Sequence, residues 1–318
     1  MSKYIKEHSL SVGYNNTGQE FFDMLYMYEK YIHSYFFSLT DRLEGDIFNE
    51  KTAKYFAEKL VSCDTYNFSG NMLFNNIYSF EKWEEMFNMV IDKINIKSVT
   101  VLYPEWGIII KEKYPDLEIH LSVRFWDWKL YEEKYKTYED TLKNMIGNID
   151  VINISGSFHY NNFIFIEKCK ELGFKTKFIV NEGCIVNRDK NYSLFPGFEN
   201  KKCWGETQNS VCKTNCALIR KEYPWMELST VDIYKESLKY YENIDILKLA
   251  CRFNDLKYIN NLLMYWISDA PTSFIRGFNI PKEKYKIFLE YLEIRSKCSN
   301  DCFHCRKCER FYNELKGD

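Results

Sequence analysis

Cysteines are the residues of this chain whose type and spacing point most clearly to chemistry: eleven of its 318 residues are cysteine. The stretch CSNDCFHCRKC holds four of them with the spacing C-x3-C-x2-C-x2-C, namely Cys298, Cys302, Cys305 and Cys308. Zinc sites usually take their ligands from two separated pairs, whereas closely spaced C-x2-C runs are typical of iron–sulfur ligation. The tail therefore predicts an iron–sulfur cluster, with zinc as the first alternative and a disordered tail without a metal as the second.

The first three tail cysteines also match the signature of radical S-adenosylmethionine enzymes. Two observations disfavour that interpretation. Cys308 offers a fourth thiolate, whereas those enzymes leave one iron open, and the motif follows the last predicted helix rather than the first strand. We interpret the tail as an accessory metal site.

A second group of four cysteines lies in a long polar segment, residues 182–240. Cys212 and Cys216 are about one helical turn apart, so both sulfurs can face the same side. Cys184 directly follows a predicted strand, and Cys203 lies in a predicted loop. Four thiolates at a barrel mouth would suit a [4Fe-4S] cluster or structural zinc. The alternative is a set of buried cysteines without a metal.

Eight short β-rich runs predict the framework that positions these cysteines. Amphipathic helical patterns, such as 19–32, 80–94 and 163–174, lie between most of them. The predicted strands are 10–14, 35–40, 66–70, 98–104, 117–123, 150–157, 175–181 and 245–252. Strand–helix alternation predicts an α/β fold with a parallel sheet. Eight units favour a (β/α)8 TIM-type barrel over an open doubly wound sheet.

The order of these elements predicts two regions. Residues 1–270 form the (β/α)8-type barrel, with the cysteine-rich insertion 182–240 after the seventh strand. Residues 271–318 form a C-terminal helix and a cysteine-rich metal-binding tail. Because reactive residues of such barrels lie on the loops after the strands, Cys184 is expected at the active face.

Charged residues at predicted strand ends are candidates for catalysis or substrate binding. Arg124 follows the fifth strand and Glu182 the seventh, while Lys248 and Arg252 border the eighth. Arginine and lysine gathered at a barrel mouth would bind an anionic substrate. The alternative for each residue is an ordinary solvated surface charge.

The overall charge and hydropathy pattern exclude some classes of protein. A net charge of −2 with 28% charged residues argues against a nucleic-acid binder that relies on a strongly basic face, although RNA stays open as a substrate. No apolar run reaches 18 residues and the start has no signal-peptide pattern, so we predict no membrane span and a cytoplasmic location. H-E-x-x-H, G-x-S-x-G and P-loop motifs are absent from the sequence.

Three segments carry a resemblance to a known family. EKYPDLEIHLSV, residues 112–123, resembles the tyrosine–proline stretch that leads into the fifth strand of the peptidase U32 family. DVINISGSFHYNNFIFIEKCKELGFKTKFIVNEGC, residues 150–184, resembles the peptidase U32 family in its order of strand, helix, strand and glycine–cysteine. DILKLACR, residues 245–252, is similar to that family's Lys-x-Glu-Gly-Arg segment. Lys248 and Arg252 match it, whereas Ala250 and Cys251 replace the acidic residue and the glycine.

This resemblance implies an iron–sulfur redox enzyme, of the kind that hydroxylates an anionic small molecule, peptide or RNA without oxygen. It implies Cys184, Cys212 and Cys216 as cluster ligands and a fourth ligand from the N-terminal part of the barrel. Cys63 is the only cysteine available in that part, and Cys203 lies in the insertion with the other three ligands, so these two compete for the fourth position. A reductant protein or partner subunit would supply electrons, with the tail passing them inward. The alternatives are a non-catalytic iron–sulfur electron-transfer or scaffold subunit, and a U32-type peptidase with a structural zinc tail.

Overall fold

The three-dimensional structure is a computed structural model that describes most of the chain. The described residues are 5–39, 50–63, 65–74, 79–126, 138–154, 163–181, 221, 223–228, 233–251, 254–268, 274–275, 278–298 and 305–316.

Eight parallel strands close into a barrel in which each strand pairs with the next one along the chain. The strands are β1 (Leu10–Gly13), β2 (Ile32–Phe37), β3 (Gly70–Phe74), β4 (Ile96–Val101), β5 (Glu118–Leu121), β6 (Val151–Ile154), β7 (Lys175–Ile179) and β8 (Ile246–Leu249). The barrel closes where β8 pairs with β1, with Lys248 opposite Ser11. The predicted (β/α)8 TIM-type barrel is therefore confirmed.

Helices connect the strands and pack around the barrel. The helices are α1 (Gln19–Tyr26), α2 (Glu50–Cys63), α3 (Phe80–Asn88), α4 (Pro104–Lys113), α5 (Tyr138–Lys143), α6 (Phe163–Glu171), α7 (Leu256–Ile267), α8 (Tyr285–Ser296) and α9 (Lys307–Lys316). Short 3-10 helices cover Glu29–Tyr31, Val123–Trp126, Pro224–Glu227, Lys235–Tyr240 and Lys282–Lys284. Strands β9 (Phe274–Ile275) and β10 (Phe278–Asn279) form a separate antiparallel pair.

Local sequence explains where several helices begin. The Asp255 carboxylate accepts a hydrogen bond of 2.7 Å from the Tyr258 backbone N–H at the start of α7. Ser79 accepts one from the Lys82 backbone N–H at the start of α3. Such N-caps satisfy backbone donors that have no partner within the helix. Pro104 occupies the first turn of α4, where no backbone N–H is needed.

Several predicted boundaries were wrong, including the end of the helix predicted over 80–94, which ends at Asn88. The second strand lies at 32–37 rather than 35–40, and the third at 70–74 rather than 66–70. The residues just before β3, which were predicted as strand, pack against α1 instead: the Tyr66 ring stacks on the ring of Tyr26, with centroids 4.6 Å apart. The helix predicted over 19–32 ends at Tyr26, and a 3-10 helix then leads the chain into β2.

A second hydrophobic cluster lies outside the barrel wall. Helices α8 and α9 contribute most of it, and the rings of Tyr291 and Phe311 pack with centroids 5.6 Å apart. Trp225, Leu228 and Tyr234, from the segment between β7 and β8, belong to the same cluster. Part of the predicted insertion therefore packs against the C-terminal helices.

None of the helices in the described ranges is both long enough and apolar enough to cross a membrane.

Candidate functional site in the barrel interior

The two faces of the barrel wall have different chemical character. Side chains alternate along each strand, so every second residue faces the helices and the others face the interior. Those that face the helices, such as Val12, Phe37, Val101 and Phe178, join one large hydrophobic cluster with the helices. The outer face therefore supplies the apolar packing of the fold.

The inner face is largely polar. Its apolar members are Phe36, Leu73, Val151, Ile179 and Ile246. Its polar members are Ser11, Ser34, Asn71, Ser98, Thr100, His120, Asn153, Lys177 and Lys248, and all of them are buried. TIM barrels usually fill this space with layers of valine, isoleucine and leucine. Buried polar groups are costly unless they are hydrogen-bonded, so this interior points to a specific use.

Asn71 lies at the centre of an interior hydrogen-bond network. Its amide nitrogen donates to the Ser98 hydroxyl at 2.7 Å, and its amide oxygen accepts from the Thr100 hydroxyl at 2.8 Å. The same nitrogen lies 3.5 Å from His120 Nδ1. These contacts connect β3, β4 and β5 across the inner face of the barrel.

His120 connects this network to the amino-terminal rim of the barrel. Its Nε2 donates to the Glu118 carboxylate at 2.8 Å, and the other carboxylate oxygen accepts from Lys175 Nζ at 2.5 Å. Burial and the charge of Lys177 lower the pKa of His120 to about 3, so its ring is neutral at pH 7. Burial alone would raise the pKa of Glu118, but His120 and Lys175 outweigh it and hold that pKa well below its usual range.

Lys177 is the most unusual residue of the interior. It is fully buried on β7, and its amine has no hydrogen-bond partner among the described residues. Burial lowers the pKa of Lys177 to about 7, and the charge of Glu118 opposes this shift only in part. Near neutral pH a large share of this amine is therefore uncharged, which makes it a base or a nucleophile.

Asn153 lies beside Lys177 on the neighbouring strand. The two residues are paired across β6 and β7. The Asn153 amide nitrogen donates to the Leu121 backbone oxygen at 2.7 Å, but its amide oxygen has no hydrogen-bond partner in the described part of the chain. An amine and an acceptor oxygen are thus left available in the same part of the interior.

The structure places the predicted residue Lys248 inside the barrel. It is buried on β8, opposite Ile179 of β7, and its amine lies 4.5 Å from the centre of the Phe36 ring. Beyond it, Asn181 joins the carboxyl ends of the two strands, because its side-chain oxygen accepts from the Ala250 backbone N–H at 2.7 Å. Lys177 and Lys248 therefore bring two buried amines to neighbouring strands.

The other predicted catalytic residues are described less fully. The backbone of Arg124 lies in the 3-10 helix directly after β5, as the strand prediction required. Its side chain is not described, and Glu182 and Arg252 lie outside the described residues. Their role stays a prediction.

Cys63 lies at the end of α2, beside the loop that follows β1. Its sulfur is 3.3 Å from the position a Cβ atom would take at Gly18, the residue before α1. Gly18 has φ of +82°, a conformation that favours glycine. The loop after β1 belongs to the carboxyl end of the barrel, where the segment carrying Cys184 also begins. This contact joins the end of α2 to the start of α1, and the role of Cys63 as the fourth ligand stays a prediction.

The tail cysteines differ in their surroundings. Cys308 is buried on α9 in the second hydrophobic cluster, whereas Cys305 is exposed and Cys298 is half-buried just after α8. Five predicted ligands lie outside the described residues, namely Cys184, Cys203, Cys212, Cys216 and Cys302. Within the described ranges, no three His, Cys, Asp or Glu side chains form a group that could hold a metal.

A cleft at the amino-terminal end of the barrel has a volume of about 450 Å³. Two ion pairs line it, between Lys111 and Asp150 at 2.8 Å and between Lys175 and Glu118 at 2.5 Å. The cleft opens at the end opposite the loops that carry reactive residues in barrels of this kind.

Lys177, Asn71 and Asn153 were missed by sequence reasoning, which searched the ends of strands. A signal was present in the alternation of KTKFI in β7, VINI in β6 and ILKL in β8. Strands of a parallel barrel are usually apolar on both faces. A polar residue inside an otherwise apolar barrel strand, such as Asn153 in VINI or Lys248 in ILKL, therefore indicates a polar interior.

No protein-family model matches this chain, and no curated protein matches it significantly. Among solved structures, it is similar to the dipeptide epimerase from Enterococcus faecalis V583, with 12% identity, a TM-score of 0.38, and coverage of 56% of this chain and 49% of that one. It thus spans about half the length of that enzyme. A mutant tryptophan synthase alpha-subunit from Pyrococcus furiosus has 7% identity, a TM-score of 0.44, and coverage of 83% of this chain and 98% of that one. OMP decarboxylase from Leishmania donovani has 10% identity, a TM-score of 0.39, and coverage of 54% of this chain and 74% of that one.

Proposed function

We propose that this protein is an enzyme that binds a small anionic substrate in the interior of its barrel. The observation that carries the proposal is the fully buried Lys177, on the strand next to buried Lys248. Burial makes the ammonium form of Lys177 costly, so its amine is only partly charged near pH 7, and a negative charge nearby would favour the charged form. Both oxygens of Glu118 already accept hydrogen bonds from His120 and Lys175. An anionic ligand would supply the missing negative charge.

The chemistry that we propose for this enzyme is that of an iron–sulfur redox enzyme similar to the U32 family. A [4Fe-4S] cluster would supply single electrons, received from a reductant protein or partner subunit. Cys184, Cys212 and Cys216 would hold it, with Cys63 or Cys203 as the fourth ligand. The position of Cys63 beside Gly18 supports Cys63. The tail would hold a second cluster or a zinc ion.

Anion binding can be tested with inorganic phosphate and succinate as probes, in thermal-shift and calorimetric titrations. We expect Lys248→Met to weaken binding of the preferred probe by about tenfold, the effect of losing about 1.4 kcal/mol. Lys97 is the matched control, because it lies on β4 but is exposed. Equal weakening by Lys97→Met, or unchanged binding by Lys248→Met, would contradict the proposal.

The metal proposal is tested by anaerobic purification followed by iron, sulfide and zinc quantification. Two [4Fe-4S] clusters would give about eight irons per chain and one cluster about four. We expect Cys63→Ser to lower the iron content. Cys251→Ser is the matched control, because Cys251 lies directly after β8 but burial raises the pKa of its thiol to about 12, which disfavours a thiolate ligand. Zinc without iron would exclude both iron–sulfur interpretations.

The same two experiments separate the alternatives. A protein that holds iron but binds neither probe would be the electron-transfer or scaffold subunit. A protein that holds zinc alone in its tail would agree with the peptidase alternative.

A further inference from the structure

The surroundings of Lys177 favour an uncharged amine, which anion binding does not require. Anion binding needs a charged ammonium group, as an exposed lysine at a barrel mouth would provide. Lys177 is instead fully buried on the middle of β7, and within the described part of the chain its amine has no hydrogen-bond partner. Its surroundings therefore favour the uncharged amine.

The ionisable groups near Lys177 compensate its charge only in part. Glu118 on β5 is engaged by His120 and Lys175. His33 on β2 and His120 on β5 are both influenced by the Lys177 charge, which lowers the pKa of each in addition to burial. Two neutral imidazoles and a carboxylate already engaged elsewhere compensate the charge of the amine only in part, so the free base is stabilised relative to the ammonium ion.

Asn153 supplies a hydrogen-bond acceptor on the strand next to this amine. Its amide oxygen is buried, has no hydrogen-bond partner among the described residues, and belongs to the residue paired with Lys177 in the sheet. Such an oxygen can accept a hydrogen bond from an amine N–H, or from a hydroxyl formed beside it. The asparagine itself does not titrate, so this acceptor would be present at any pH.

We propose that Lys177 is a nucleophilic amine that forms a Schiff base with the carbonyl carbon of a small anionic aldehyde or oxo acid. The amine adds to the carbonyl carbon, and a proton moves from nitrogen to oxygen to give a carbinolamine. The C–O bond then breaks, water leaves, and a C=N bond forms; a proton from solvent converts it to the iminium ion. No external oxidant or reductant is needed. The inference deepens the proposed function, because it names a substrate class for the same interior.

The test is reductive trapping of the full-length protein with glyoxylate and sodium borohydride at pH 7.5, followed by peptide mapping. Borohydride reduces the iminium to a stable secondary amine, so the modified lysine keeps the added group. At this pH an amine with a pKa of about 7 is mostly free base, a fraction on the order of a hundredfold or more above that of an ordinary exposed lysine. We expect at least about tenfold more adduct on Lys177 than on exposed Lys97.

Lys177→Met should abolish the principal adduct, and Lys97→Met should leave it unchanged. No adduct on Lys177 of the unmodified protein, or equal labelling of exposed lysines, would overturn the inference whether or not the variant folds. The experiments distinguish failure of the proposed anion binding from failure of the proposed Schiff base. Phosphate or succinate binding that depends on Lys248 without an adduct on Lys177 would leave the proposed function standing and remove the Schiff base.

Discussion

Lys177 and Asn153 are paired across β7 and β6, and the amine of one and the amide oxygen of the other both lack a partner among the described residues. Elsewhere in the interior polar groups are satisfied, as the hydrogen bonds of Asn71 to Ser98 and Thr100 illustrate. Among the described residues of the barrel interior, the two unsatisfied groups thus lie on neighbouring strands, although other buried polar atoms without a partner, such as Trp83 Nε1 and Trp266 Nε1, occur outside the interior. Unsatisfied buried groups cost stability, and proteins retain such costs mainly at functional sites.

Replacing Lys177 by methionine should change how stability depends on pH. The folded-state pKa is about 7 and the ordinary value is 10.5. Between these values the unfolded chain binds the proton more strongly, so the free energy of unfolding of the unmodified protein rises with pH, by at most about 1.4 kcal/mol per pH unit. Lys177→Met should lack this rise. Urea unfolding of both proteins at pH 7.5 and 9 measures the difference; parallel curves would contradict the prediction.

At pH 6 Lys177→Met should be more stable than the unmodified protein, by about 1–3 kcal/mol, because it removes a buried charge without a partner. Lys235 is a matched control, since it is also buried but its amine donates to the Tyr265 and Ser268 backbone oxygens at 3.0 and 2.9 Å. Lys235→Met should therefore be destabilising. Thermal unfolding at pH 6 tests both, and destabilisation by both substitutions would argue against an uncompensated Lys177.

Replacing His120 should reduce the amount by which the free energy of unfolding decreases in acid. Burial lowers its pKa to about 3 from 6.5. In this interval the unfolded chain binds the proton more strongly, so stability falls as the pH falls from about 6.5 towards 3. His120→Gln should reduce this fall between pH 6.5 and 4.5, measured by urea unfolding. His8→Gln, the same substitution at an exposed position, serves as the control.

Asn71→Leu should destabilise the barrel by about 2–4 kcal/mol. The substitution leaves the buried hydroxyls of Ser98 and Thr100 without their partner, and unsatisfied buried polar groups cost about 1–3 kcal/mol each. Met72→Leu is the control, since Met72 faces the hydrophobic outer cluster and the substitution conserves volume. Chemical denaturation should separate the two variants; a similar small effect of both would mean that the network contributes little.

The tail cysteines should respond differently with and without metal. In chelator-treated protein we expect Cys308→Ser to cost about 1–2 kcal/mol, because it introduces a hydroxyl into the second hydrophobic cluster. Cys305→Ser, at an exposed position, should cost less than about 0.5 kcal/mol. In anaerobically purified protein both substitutions should reduce the tail metal content. Unchanged metal content in both would contradict a metal site in the tail.

Much of the fold follows from local sequence. The run SVTV and the helix-forming stretch after it predict strand and helix through their own periodicity, and eight such units favour a closed barrel. Boundaries were less predictable. The stretch before β3 has the composition of a strand, yet Tyr66 donates to the Asp23 carboxylate at 2.8 Å and stacks on Tyr26. Contacts with α1, distant in sequence, decided its conformation.

The sequence by itself determined the fold class and placed Lys248 on the last strand, because strand–helix alternation is a local property. Only the tertiary structure decided which face of each strand points inward, since a residue at every second position can face either helices or interior until neighbouring strands fix the register. That decision made Lys177 a buried amine beside Asn153 rather than a surface lysine. Likewise, only chain packing brought Cys63 to Gly18, because α2 and the loop after β1 meet through the fold and not through sequence.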